Sequence, residues 1–449
     1  MKRLPLIAAF GLSSLMSTAY SADLLQAWQS AQARDPEIAA ARALFEQAAF
    51  RKEQAQALWA PTVGVVGTLG VGGADSRTKG AEALGYSDVS FKTNVNAGAL
   101  ARGSIGAQKA WISPEREAQS QQLELSAQLA EQQWQQAQQA LVLRTAQKYF
   151  DVVGAEQTLQ ILQRQQKAIQ QAAAEIKKRQ AIGDASVMDV QEANARVSDI
   201  RAHVLTQEND VAMKQLAYRQ LVGQEPSDLK KLTSTFNTPR NLADANSWVQ
   251  RAKQHSPALQ MMRLQQAIQV QEVKRVKADQ GLRADWVAQA QMDRLMGQGM
   301  YGSASHQTAQ YLVGVQVNVP LSTGGMTEAR EREALKQVDK LRFDQELAEL
   351  HIEQSVRSAW QNISSAQARM QALEQSEKAS QARLSATRNA HRTGARTTNE
   401  WLGAEHDAAQ AELALVQLRI QTALERLRLQ AASGELGEAQ LQEINALLK

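Results

Sequence analysis

The 449-residue chain contains no cysteine, so neither disulfide staples nor thiolate chemistry is open to it. Beyond its first 22 residues no run approaches eighteen consecutive apolar side chains, which excludes a membrane-spanning helix from the mature chain. Aromatic residues make up 5%, and the remaining apolar residues recur at helical intervals rather than in blocks. That excludes one large compact core and points to long, thin helices. Catalytic signatures are missing as well: there is no Gly-Lys-Ser/Thr phosphate loop, no HExxH and no cysteine nucleophile. The six histidines are scattered, and none sits beside an acid at metal-ligand spacing. No enzyme, no metal and no cofactor is expected. "GTLGVGG" (67–73) is glycine-rich, but it lies within a strand pattern and leads into no helix.

What is present begins with an export signal. Lys2 and Arg3 open the chain, Leu4 to Met16 is mostly apolar, and Ala19-Tyr20-Ser21 is a small-x-small cleavage site. Residues 1–21 read as a secretory signal peptide. Losing Lys2 and Arg3 with it takes 50 basic residues to 48 against 46 acidic ones, and the net charge from +4 to +2. Such a balance does not suggest a nucleic-acid partner.

The helical pattern from about Glu115 runs unbroken by proline to Ala181 and stops at Gly183 in "RQAIGDASVMDVQEAN" (179–194). The same event recurs at Gly394 in "RNAHRTGARTTNEWLGAEH" (388–406), 211 positions later. Gly223 and Gly434 are also 211 apart, Phe150 and Trp360 are 210 apart, and "DPEIAAARALFEQAA" at 35 is echoed by "SPALQMMRLQQAIQV" at 256. A period near 210 is a duplicated domain, since solenoid repeats run to 20–50 residues. Each copy orders a short helix, two alternating stretches, a long helix, a glycine break and a medium helix.

The alternation marks strands. In "QYLVGVQVNVPL", Tyr311, Val313, Val315, Val317, Val319 and Leu321 share one face, and Gln310, Gly314, Gln316 and Asn318 the other. In "VSFKTNVNAGA", Val89, Phe91, Thr93, Val95, Ala97 and Ala99 share a face, and Val63 to Val71 and Trp286 to Met292 are the companion runs. A soluble sheet over a core would give the same pattern. Here each run has about the ten residues of a tilted membrane strand, and nothing else in the chain offers a layer to cover it. Four strands cannot close a barrel, so several chains would have to contribute. The helices carry sevenfold seams: Leu162, Ile169, Ile176; Val356, Ile363, Met370; Leu413, Ile420, Leu427. About 67 residues of helix would extend roughly 100 Å.

With "YLVGVQVNVPLSTGGMTEAR" (311–330), "GDASVMDVQEANAR" (183–196) and "RTGARTTNEWLGAEHDAAQAEL" (392–413), this order of elements resembles the TolC-like outer-membrane efflux proteins over essentially the whole mature chain. The resemblance implies a mainly α fold with a membrane β-barrel part: a homotrimer whose chains share a twelve-stranded barrel, continued by an α-helical coiled-coil tunnel. It places the protein in the outer membrane, in contact with its lipid and extending into the periplasm. There it would dock a periplasmic adaptor protein and an inner-membrane transporter, as the exit duct for secreted proteins or small toxic compounds. The two cargo classes are not separable from this chain.

The expected organisation is a first repeat over 22–223, with strands near 62–73 and 88–104 and a hairpin tip near 183. An equatorial linker over 224–240 follows. A second repeat covers 241–434, with strands near 284–296 and 308–321 and a tip near 394, and an equatorial segment fills 435–449. Gly183 and Gly394 would form the tips that dock the adaptor. At the second tip the resemblance assigns His391 to the family's pore-facing aromatic and Glu400 to its first pore-facing acid, while Gly403 stands where a second acid would be. Arg396 matches the family's tunnel-closing arginine, and Asp189 the aspartate it meets on a neighbouring tip. Plain helix C-caps account for the glycines equally well, and acids near helix N-termini for Asp189 and Glu400. A periplasmic coiled-coil stalk without a pore is the alternative from another class; it has no need of four strands with a lipid-compatible face.

Overall fold

The computed structural model describes residues 23–83, 85–233, 242–299 and 302–449. The signal peptide expected over 1–21 and most of the second half of the linker expected over 224–240 lie outside these residues. So do the side chains of Val89, Phe91 and Thr93.

The helices come in matched lengths. The first copy holds α1 (Leu24–Arg34), α2 (Pro36–Ala57), α3 (Pro114–Ala181) and α4 (Val187–Val222), with 11, 22, 68 and 36 residues. The second holds α5 (Ala245–His255), α6 (Pro257–Ala278), α7 (Met326–Arg392) and α8 (Thr398–Ala432), with 11, 22, 67 and 35. A short α9 (Glu438–Asn445) follows. Proline stands at the first position of α2, α3 and α6, where its missing amide hydrogen costs the helix nothing.

The chain packs as two compact units. One comprises the described parts of Met1–Ala40, Gln136–Ser256 and His351–Lys449. Its main core gathers Leu24, Tyr149, Phe150, Tyr218, Val222, Leu427 and Leu441. Tyr149 meets Phe150 edge to face at 5.6 Å and donates its hydroxyl to the carbonyl oxygen of Lys230. Beside that contact the chain's end is tied down: Lys231 and Lys449 exchange backbone hydrogen bonds of 2.9 Å. The sevenfold seams pack within this unit. Ile169 and Ile176 lie in one cluster, Val356 and Ile363 in a second, and Met370 and Leu427 in the main core.

The other unit, Ala41–Gln135 with Pro257–Leu350, holds the sheet. β1 (Thr62–Ala83), β2 (Tyr86–Ile112), β3 (Arg283–Gly299) and β4 (Gly302–Asn318) pair antiparallel in chain order. The strands outrun the side-chain alternation, because ladder pairing depends on the backbone alone. β4 instead stops at Asn318, ahead of Pro320, which has no amide hydrogen for the ladder. β1 and β4 each leave one edge unpaired within the chain.

The register puts Val63, Val65, Leu69 and Val71 on one face with Ala99, Ala101, Ile105 and Ala107 of β2, Ala288, Ala290 and Met292 of β3, and Ala309, Tyr311, Val313, Val315 and Val317 of β4. That face is bare: Val71 is 91% exposed and Tyr311 89%. The opposite face is mainly polar, although Val66 and Leu312 lie exposed on it. Arg102 pairs there with Asp293 at 2.8 Å, Gln291 donates to Asp293, and Gln108 donates to Asp285. The apolar run also slides along the sheet. Val63 is level with Val313, yet the β4 run begins at Val317; Val71 is level with Ser305, yet the β4 run ends at Ala309. The offset is thus four residues over three strand-to-strand steps.

Above the band, Gly72, Gly98 and Gly297 stand in one row across three strands. A Cβ on Gly98 would sit 2.4 Å from the carbonyl oxygen of Met296, and one on Gly297 2.1 Å from that of Ala97. Only glycine permits that approach of β2 to β3.

Candidate functional site at the two hairpin ends

Both long helices stop in the same way. At the end of α3 the amides of Gly183 and Asp184 donate to the carbonyls of Gln180 and Arg179; at the end of α7 those of Gly394 and Ala395 donate to His391 and Ala390. Gly183 has φ 81° and Gly394 φ 75°, so each is the left-handed residue of a Schellman cap. Three residues after each glycine a hydroxyl residue opens the next helix: Ser186 caps α4 and Thr397 caps α8. Each belongs to a reciprocal capping box, closed by Asp189 and by Glu400.

The two acids are therefore cap residues, and this sets their charge. Hydrogen bonds from Ser186 hold the Asp189 carboxyl below the usual aspartate range. The Thr397 backbone amide, with Arg396 beside it, holds Glu400 at about 2. Arg396 donates to Glu400 at 2.5 Å, within its own chain. Asp189 instead stands near Thr398 and His391. Nothing surrounds the Cα of Gly403 within 4 Å of where a side chain would begin.

His391 is 4% exposed. Its ring lies 4.8 Å from that of Trp401, its Nε2 is 3.3 Å from the Thr398 hydroxyl, and its Nδ1 has no hydrogen-bond partner. Burial, with the Arg179 guanidinium nearby, pushes its pKa down and keeps it neutral; Glu175, Asp189 and Asp184 oppose the shift. The ring position that the resemblance assigns to a pore-facing aromatic is thus packed against α8 in this chain.

Three residues enter the site that the sequence did not single out. Arg179 pairs with Asp184 at 2.7 Å and donates from Nη1 to the carbonyl oxygen of His391 at 3.2 Å. Thr398 bonds His391, and Trp401 belongs to a cluster with Ile169, Ile176, Ile200 and Leu402. The one signal for Arg179 is a break in the repeat, since its counterpart 211 positions on is Ala390. The ends also differ in surface. Ile182 and Met188 are 79% and 70% exposed and Val187 is bare too, whereas Thr393, Thr398 and Asn399 hold the matching places.

The family model described as outer membrane efflux protein matches residues 27–224 and 248–435. "Outer membrane protein TolC" of Vibrio cholerae is 24% identical over 458 residues, covering 100% of this chain and 99% of that protein. "Alkaline protease secretion protein AprF" of Pseudomonas aeruginosa is 26% identical over 328 residues, 71% of this chain and 66% of its own. Among solved structures, the outer membrane protein VceC from Vibrio cholerae superposes with a TM-score of 0.72 at 17% identity, over 92% of this chain and 96% of that one.

Proposed function

The chain belongs to the outer membrane efflux protein family, and from that premise we propose that it is the exit duct of a tripartite export system. It resides in the outer membrane, and the family is one of channels, not enzymes. In the proposed assembly three chains close their four-stranded sheets into one twelve-stranded barrel, and the helices continue it as a tunnel through the periplasm. An adaptor protein docks at the glycine-led tips and links the duct to an inner-membrane transporter. The likeness to AprF, an alkaline protease secretion protein, favours protein cargo as one class the duct passes.

One observation carries this reading: the sheet's bare apolar face slides four residues across three strand steps. At about 3.4 Å per residue and 4.8 Å per strand, the band slopes by about 45° to the strands. Spanning strands tilt about 35–45° to the membrane normal, so a band lying flat in a bilayer must cross them at such a slope. A soluble sheet over a core has no reason to offset its apolar run. The two unpaired edges add to the case, because lipid satisfies no backbone group and pairing β4 with β1 of the next copy does.

The test places arginine on each face. Val313→Arg, at the centre of the apolar run, is expected to cost about 2–4 kcal/mol and to deplete trimers in the outer-membrane fraction. Gln310→Arg, on the polar face, is expected to assemble normally. Equal assembly of the two variants, or a wild-type chain that is monomeric and soluble without detergent, refutes the barrel.

A further inference from the structure

The apolar face carries two cations and no carboxylate along the paired region between Lys109 and Arg294. Lys109 of β2 stands directly opposite Trp286 of β3. Just beyond it the register slips between Ala110 and Ile112, and the extra residue is Trp111. The rings of Trp111 and Trp286 meet at 5.6 Å with 34° between their planes. Both rings are about half exposed, so the pair is not buried in protein. It sits where β2 gives way to α3, with Trp111 two residues before Ser113 and three before Pro114.

On the reading of the sheet as a membrane barrel, we infer that Lys109, Trp111 and Trp286 bind the phosphate headgroup of an anionic phospholipid in the periplasmic leaflet. The chemistry is complementary. An ammonium on a four-carbon stem reaches out of the hydrocarbon to a phosphate, and the indoles occupy the glycerol level beside it. With no acid on this face, nothing in the band neutralises Lys109, so a net negative headgroup is preferred over a zwitterionic one. Arg294 stands eight residues further along β3, about 27 Å away, at the other rim of the same face.

Native mass spectrometry of the detergent-purified mature chain, incubated with dioleoylphosphatidylglycerol or dioleoylphosphatidylcholine, tests this. One phosphatidylglycerol per chain is expected to survive activation. Lys109→Ala is expected to lose about fivefold of that retention, Lys109→Arg to keep it, and phosphatidylcholine to leave readily. Arg294→Ala, at the opposite rim, serves as the control that retains the lipid. Retention unchanged in Lys109→Ala, or equal for the two lipids, overturns the site. A wild-type chain that, reconstituted from the same preparation into vesicles, is stripped from them by carbonate overturns the barrel reading instead.

Discussion

Arg179, in the last turn of α3, donates to the carbonyl oxygen of His391, in the last turn of α7. The same oxygen accepts the Gly394 amide that closes the second tip, so one hairpin end holds the cap of the other. The guanidinium also pairs with Asp184, which fixes it from the opposite side.

Removing that link is expected to loosen the second tip while the fold stays intact. Arg179→Ala deletes the hydrogen bond to His391 along with the Asp184 pair; loss of the former costs about 1 kcal/mol, read as roughly fivefold faster amide exchange at 392–396. Arg179→Lys has one ammonium for two acceptors and restores the exchange rate only in part. Protection unchanged in Arg179→Ala means the contact holds nothing.

Arg396 and Glu400 neutralise each other within the chain, so their substitutions act in opposite directions on the tunnel's charge. Arg396→Ser leaves Glu400 unbalanced and is expected to raise both conductance and cation selectivity in planar bilayers. Glu400→Gln leaves Arg396 unbalanced and lowers cation selectivity. With Gly403 in place of a second acid, no carboxylate at that position compensates. Reversal potentials that do not move in either variant place these residues away from the ion path.

The buried His391 makes the tips sensitive to pH. Its folded pKa is depressed below the ordinary value near 6.5, so the unfolded state binds the proton more readily. The stability it contributes is therefore present above about 6.5 and lost as pH falls through the lower folded pKa. Between those limits the Tm of the tip region, followed by Trp401 fluorescence, is expected to fall with pH. His391→Phe keeps the stacking on Trp401 and removes that slope; a slope that persists in the variant assigns it to other groups.

The glycines facing each other across β2 and β3 admit no side chain. Gly98→Val or Gly297→Val forces a methyl into a backbone oxygen and is expected to cost about 3 kcal/mol or more and to abolish assembly. Gly103→Ala, which meets nothing within 4 Å, is the tolerated control. Normal trimer yield from Gly98→Val shows that the strands part there freely.

Much of this was legible along the chain because it is local. Proline opens α2, α3 and α6, a hydroxyl caps α4 and α8, and Gly183 and Gly394 announce their caps by spacing alone. The odd-numbered valines of β4 announce its faces for the same reason. What stayed hidden depends on residues far apart. The hydrogen bond from Arg179 to His391 spans 212 positions, and no periodicity brings them together. Trp111 lies beyond the strand expected near 88–104, and its ring contact with Trp286 joins positions 175 apart. The upper part of β1 lacks alternation, because its pairing is carried by amides that every residue shares.

The seam between β2 and β3 also sets an order of events. Lys109 and Trp286 face each other across it, although they are 177 positions apart in the chain. By contrast the β1–β2 and β3–β4 hairpins close over short turns and can zip on their own. The seam is a long-range contact whose loop-closure entropy is large while α3 and α4 are unformed. Helix formation shortens that loop, so the four strands come together late, as two finished hairpins meeting edge to edge. Until then each chain carries four open edges in place of two, and a chaperone that shields strand edges would find its substrate here.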